Sequence, residues 1–419
     1  MDSIRRQRRK DLLRQRYALI CQVIMMNMRF RGEWTRKIFQ DRGKYGHQNV
    51  LIPQMSAQYP EMFHNYTRMS GSQFDFLLNL LGARIQKQDT NMRASIPASD
   101  RLLICLRFLA TGMGYQDLAL AFRVGKSTVP LIIDEVCSEI FNILGPMHVK
   151  LPTSADEWKQ ISYGFQHKWN FPHCVGAIEG KHVAINAPPN SGSSYINYKG
   201  YFSIVLMAAV DANYNFMYVD VGDFGRNSDG GVFANCTLGK EFETLPFFPA
   251  DEKISSNRPP LPYIFVADEA FPLKRKLMKP YSGRGLPKDM RIFNYRLSRS
   301  RRCVGNAFGI LCARWRVLLN TVALQPDMAT KVVLACCCLR NYLMQNEAGA
   351  SNRKYCPPAF GDVAQQDGSI TEGAWRKEKF SFYPLEDQEQ PMVLHAYEVR
   401  NQFRDYFNNE GAVPWQNNV

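Results

Sequence analysis

No uninterrupted apolar run in the 419-residue sequence approaches the ~18 residues that a bilayer-spanning helix requires, so no membrane partner is expected. No Cys-x-x-Cys pair occurs, and the cysteine count, eleven, is odd. The consecutive Cys336, Cys337 and Cys338 would point in different directions on a helix and cannot share one zinc ion. Buried free thiols in a reducing compartment are the expectation. Tyr17 to Met28 is apolar behind a basic start, yet it lacks a small-residue cleavage site and runs into Arg29 and Arg31. It reads as the buried face of a helix. Acidic residues are scarce in two places. The first twenty residues carry seven Lys/Arg against Asp2 and Asp11, and Phe271 to Arg302 carries eleven against Asp289 alone. The net charge of +14 is therefore local and calls for an anionic partner. The Arg-rich start suits a nuclear import signal, and a solvated basic tail equally well.

An apolar fraction of 45% supplies ample core, and the length suggests two or three domains. Four regions are expected: a basic N-terminal region (1–60), a helical helix-turn-helix-like domain (61–150), a mixed-sheet domain (151–345), and a polar loop with an amphipathic helix from about Val393 to Phe407 (346–419). In the second, Tyr115 to Phe122, a turn at Arg123-Val-Gly125, and Lys126 to Val136 make a helix-turn-helix spacing in which Ser127 or Thr128 can cap the second helix. DNA-binding versions enter the major groove by residues equivalent to Lys126, Ser127 and Thr128. A plain helical hairpin has the same spacing, but Arg123 and Lys126 flank the turn and favour DNA contact.

From Cys174 the period becomes strand-like. Strands are expected at Cys174–Ile185, Tyr201–Val210, Asn215–Val221 and Tyr263–Ala267, a helix opening at Ser228 or Asp229, and helices at Pro272–Met278, Tyr295–Leu319 and Met328–Met344. That order makes an α+β fold. Glu179 lies within the first strand and Asp268 ends a later one, where a rigid backbone can present a side chain to a crevice. Two carboxylates brought together could hold one or two Mg²⁺ ions and activate water for attack on a phosphate. The basic stretch beyond Asp268 would hold the phosphate backbone beside them. Lys274, Arg275, Arg296, Arg299, Arg301 and Arg302 are its candidate nucleic-acid contacts. His182, on the strand of Glu179, could ligand a metal or touch phosphate, but a buried histidine is the plainer reading. Trp315 could stack on a base, and a core role fits it better.

Several blocks resemble the PIF/Harbinger transposases and the host proteins derived from them, in the DDE superfamily. They include Gly176-Ala-Ile-Glu-Gly-Lys-His182, Ala187-Pro-Pro-Asn-Ser-Gly192, Asn197-Tyr-Lys-Gly200, Gly225-Arg-Asn-Ser-Asp-Gly-Gly-Val-Phe233, Ala267-Asp-Glu-Ala-Phe-Pro-Leu273, Phe293-Asn-Tyr-Arg-Leu-Ser-Arg299 and Asn306-Ala-Phe-Gly-Ile-Leu311. The resemblance implies an RNase H-like catalytic domain in which three acids bind two divalent metals, Mg²⁺ or Mn²⁺, to cut and join DNA. It implies a nuclear protein, found in the cytoplasm as a second compartment, and a separate Myb/SANT-like partner. The triad carries over in part. The family's first acid, an Asp, is Glu179 here, the second is Asp268, and the third, a Glu, is replaced by Gly305 in Arg301-Arg-Cys-Val-Gly305-Asn-Ala-Phe-Gly309. The resemblance thus implies a nuclease of impaired catalysis, or an active one if another acid substitutes. Asp229 is the first candidate substitute, with Glu269 and Asp211 behind it. The plainer readings are that Asp229 caps a helix, Asp211 shapes a turn and Glu269 points away.

Overall fold

The computed structural model describes residues 2–27, 36–91, 94–346, 355–357, 359–365, 367–378, 382–383 and 394–418. It opens on helix α1 (Asp2–Asn27), and here the expected buried face is not buried: the side chains from Lys10 to Val23 are exposed, Tyr17 at 71%. Tyr17, Ala18, Leu19 and Ile20 cover a full turn, so the apolar residues encircle the helix and form no stripe that a core could cover. Helices α2 (His47–Gln58), α3 (Pro60–Thr67), α4 (Gly71–Ile85), α5 (Ala98–Thr111), α6 (Tyr115–Phe122), α7 (Thr128–His148) and α8 (Ala155–Trp169) follow. Leu102, Leu106 and Leu109 repeat at helical spacing on α5, and Val129, Ile132, Val136 and Ile140 do so on α7; all are buried. Ser70 starts α4 with a reciprocal capping box to Gln73. Ser127 occupies the cap of α7 but has helical dihedrals and makes no capping bond, so the expected cap there is absent.

The sheet is built on β1 (Cys174–Ala184), β2 (Ser203–Val210), β3 (Phe216–Phe224), β4 (Ile264–Val266) and β5 (Leu277–Met278), in the order β3-β2-β1-β4-β5. The first three strands are antiparallel, while β4 runs parallel to β1 and β5 parallel to β4. Every residue of β2 is buried, because both faces are covered. Ile204, Leu206 and Ala208 join one core with the long helices, and Val205, Met207 and Ala209 join the other with Trp158, Phe233 and Phe265. The helix expected at Pro272–Met278 is instead a turn leading into β5. Lys274 and Leu277 exchange backbone hydrogen bonds of 3.0 and 3.1 Å, and Leu277 and Met278 pair with Phe265 and Val266. Seven residues are too few for a self-supporting helix, and the open edge of β4 offers the backbone a better ladder.

Helix α9 (Asp229–Asn235) is capped by Ser228, and α10 (Lys288–Arg314), α11 (Pro326–Gln345) and α12 (Leu394–Asn408) complete the fold. Along α10 the buried residues Phe293, Leu297, Ser300, Val304, Ala307 and Leu311 advance by three and four, which lays the helix against β1 and β2. Beyond α11, β6 (Phe382–Tyr383) pairs antiparallel to Val183 and His182 of β1. The whole is an α+β RNase H-like fold with a mixed sheet, preceded by a helical region. Among the described residues no helix is long and apolar enough to cross a membrane. Nine of the eleven cysteines are buried free thiols; Cys21 is exposed and Cys356 half-buried.

Candidate active site

Alternation along β1 decides what faces α10. Ala177 and Val183 share the core of the long helices, whereas Ile178 shares the opposite one, so Glu179 and Lys181 point at α10. On that helix Ser298, Arg301, Gly305, Phe308 and Cys312 form a stripe that lines one cavity with Glu179 and Lys181. The cavity measures about 410 Å³, and its far wall is Glu372, Trp375 and Arg376. Asp268 follows the end of β4, with its carboxylate accepting from the Ala270 N–H at 3.2 Å. Arg301 joins the two acids: its Nη1 lies 3.5 Å from Glu179 Oε1 and 3.5 Å from Asp268 Oδ2. Lys181 Nζ sits 2.6 Å from the same Glu179 oxygen.

Glu179 is 5% exposed. Burial works against its charge, but Lys181 and then Arg301 more than offset that and hold the carboxyl below its ordinary range. The cations beside Glu179 are therefore protein side chains. A metal pair needs acids converging from several sides. Here the position of the third is Gly305, where an added Cβ would meet nothing within 4 Å. No group of three His, Cys, Asp or Glu able to hold a metal occurs among the described residues. The residues present do not fit the two-metal centre that the family resemblance implies.

The proposed substitutes lie elsewhere. Asp229 is buried in the first turn of α9 and does not line the cavity. Asp211 shapes its turn, accepting from the N–H groups of Asn213 and Asn215 at 2.7 and 2.8 Å. Glu269 is exposed. Glu372, a cavity-lining acid outside every recognised block, escaped sequence reasoning because it reaches the site from the segment after α11. Lys181 was missed as well, although its spacing of two residues from Glu179 on one strand face was a signal.

The basic candidates divide sharply. Arg301 and Arg302 line the cavity. Arg296 and Arg299 are each 2% exposed and point inward, which corrects their assignment as surface phosphate contacts. Arg296 donates to Asn170 O and Gly411 O, and Arg299 donates to Gly368 O at 2.7 Å, so both serve to pin loops. Lys274 lies 4.0 Å from Glu243, and Arg275 is paired with Asp251 and donates to His395 at 3.1 Å. Arg123 folds back on Ile38 O at 3.4 Å and over the Tyr45 ring, whereas Lys126 is exposed. Trp315 is fully buried.

His182 is buried too, with Nδ1 3.1 Å from Ser203 Oγ. Burial first, then Lys199 and Lys181, pushes its pKa down from 6.5 to about 4. Between those values the unfolded chain binds more protons than the folded one, so stability falls as pH drops from about 6.5 toward 4 and levels off below. The full difference is about 3 kcal/mol. His182→Gln, which keeps a polar partner for Ser203, is expected to flatten that limb in urea melts across pH 4–7; an unaltered limb would assign the dependence elsewhere.

Residues 178–341 match the family model described as DDE superfamily endonuclease. The ALP1-like protein of Arabidopsis thaliana is 28% identical over 69% of this chain and 72% of its own length. HARBI1 of Homo sapiens, named as a candidate nuclease, is 24% identical over 65% of this chain and 74% of its own. The Arabidopsis thaliana protein named antagonist of like heterochromatin protein 1 is 23% identical over 70% and 75%. No solved structure matches. Residues 178–341 are thus similar to the DDE superfamily endonucleases, and the chain as a whole resembles the ALP1-like and HARBI1 proteins.

Proposed function

We propose that this chain is a transposase-derived DNA-binding protein whose DDE endonuclease fold has lost most of its cleavage. One observation carries the reading: Glu179 and Asp268 are held by Lys181 and Arg301, and Gly305 leaves the third acid's place open. Glu in place of Asp at 179 also extends the carboxylate by about 1.5 Å, a displacement of the order that costs ~10²-fold in rate. The proposal extends to duplex DNA as partner, to a Myb/SANT-like nuclear protein and to the nucleus. It draws support from the seven basic residues in the first twenty, of which Lys10, Arg14 and Arg16 are exposed on α1, and from a relative named for heterochromatin. Arg301, Arg302 and Lys126 are the basic side chains best placed to meet a phosphate backbone.

The test is nicking of supercoiled plasmid in Mn²⁺. The unaltered chain is expected to nick poorly. The Glu179→Asp, Gly305→Glu double variant is expected to nick roughly 100-fold faster, because Asp withdraws from Lys181 while the new Glu enters open space. The competing reading is an active divalent-metal nuclease using Glu179, Asp268 and a substitute acid. Glu372 on the cavity wall is the observation in its favour. Robust nicking by the unaltered chain, abolished in Asp268→Ala, would replace the first reading with the second.

A further inference from the structure

The acids and cations of the cavity are arranged in layers. Asp268 lies behind the cavity wall and Glu179 is part of it, Lys181 is bound to Glu179 and Arg301 to both acids, and the open volume beside Gly305 lies in front. In a two-metal enzyme the dications occupy that middle layer and bridge carboxylates to a phosphate. Here the layer is an ammonium and a guanidinium. An ammonium has three donors and a guanidinium five, so binding a carboxylate does not exhaust either. Both groups line the cavity, as do Arg302 and Arg376, against Glu179 and Glu372 as the lining acids. Four cations thus face the space, Lys181 and Arg301 bound to Glu179 and Asp268, Arg302 and Arg376 bound to Asp362, with Glu372 as the remaining lining acid. A glutamate at 305 would project into it, and glycine leaves it open to an anion.

We propose that Lys181 and Arg301 bind a phosphate group directly in this cavity, as tethered cations in the place of the metals, so that the site grips a phosphodiester without cutting it. The inference rests on the DNA-binding reading for the source of that phosphate. Glu179 and Asp268 become positioning residues: their charges hold the two cations at the cavity wall. Neither cation can lower the pKa of a bound water as a metal dication does, so binding persists where hydrolysis does not. Charge-assisted hydrogen bonds to phosphate are among the stronger polar contacts available, and Arg301 can offer two in parallel.

The experiment is fluorescence anisotropy of the full chain with a labelled duplex, in EDTA and in Mg²⁺, with circular dichroism to verify the fold of each variant. Affinity is expected to be equal within about twofold in the two buffers. In EDTA, Lys181→Thr and Arg301→Gln are each expected to weaken binding about tenfold. Gly305→Glu is expected to weaken it similarly by setting a carboxylate against the phosphate. That variant adds a side chain in open space, so it decides the matter even if the other two fail to fold. Duplex binding that ignores all three substitutions, or that requires Mg²⁺, overturns the cavity proposal and leaves DNA binding standing. Absence of duplex binding in every buffer overturns the DNA reading. In that case inorganic pyrophosphate that raises the melting temperature of the unaltered chain, but not of Gly305→Glu, assigns the cavity to a free phosphate ligand; no shift overturns it as well.

Discussion

Replacing Asp362 by alanine is expected to cost about 3–5 kcal/mol of folding stability, the range for removing one partner from a buried ion pair. The side chain is fully buried, and it accepts from Arg376 Nε at 2.8 Å, Arg376 Nη2 at 2.5 Å, Arg302 Nη1 at 3.3 Å and the Gly373 N–H at 3.0 Å. Its own N–H donates to Asn306 Oδ1, which also accepts from Trp375 Nε1 at 2.7 Å. One carboxylate therefore fastens the segment around 360–377 to α10, beside Gly305. Burial opposes the charge, but the Arg376 contact and the Gly373 N–H outweigh it and hold the carboxyl below 3.8. Its stabilisation is full above the unfolded pKa and is lost as pH falls through the lower folded value. Asp362→Asn should fall between the wild type and alanine, since it keeps the shape and loses the charge. Urea denaturation at pH 7 measures all three, and a cost under about 1 kcal/mol for Asp362→Ala would remove the clamp from the account.

Burial explains which parts of this molecule were legible in its sequence. The four main strands were, since β2 and β4 are short apolar runs covered on both faces, β1 is buried along almost its whole length and β3 follows a turn shaped by Asp211. The absent third acid came from the family resemblance alone; the structure adds that residue 305 lies on the side of α10 that lines the cavity. The basic stretch 271–302 was read as one anionic-partner surface, and that failed. A linear count ignores phase: a turn, a strand and a helix divide those residues, and α10 sends Arg296 and Arg299 inward while turning Arg301 and Arg302 to the cavity. The buried arginines answer carbonyls 126, 115 and 69 positions away, contacts that no local pattern encodes. Long-range closure also hid the cavity's far wall. Glu372, Trp375 and Arg376 carry no periodicity of their own and are placed by Asp362 and Asn306.

Two glycines one helical turn apart on α10 should respond to the same substitution with opposite signs. Gly305→Ala places a methyl in open space, and the interior of a helix favours alanine over glycine by about 1 kcal/mol, so stability should rise by up to that amount. Gly309→Ala gains the same propensity, yet its Cβ would stand 2.1 Å from the Trp375 ring, far inside contact distance. The helix backbone is fixed by its packing on β1 and β2, so the tryptophan must move. That breaks its bond to Asn306 and exposes a ring now 9% exposed. Losing a buried tryptophan costs about 3–5 kcal/mol, which leaves a net loss of roughly 2–4 kcal/mol after the propensity gain. The released segment is the far wall of the cavity, so Gly309→Ala should also raise protease cleavage near residues 372–378, whereas Gly305→Ala should not. Equal stability of the two variants, with no new cleavage, would mean that Trp375 repacks without loss and that the wall does not depend on it.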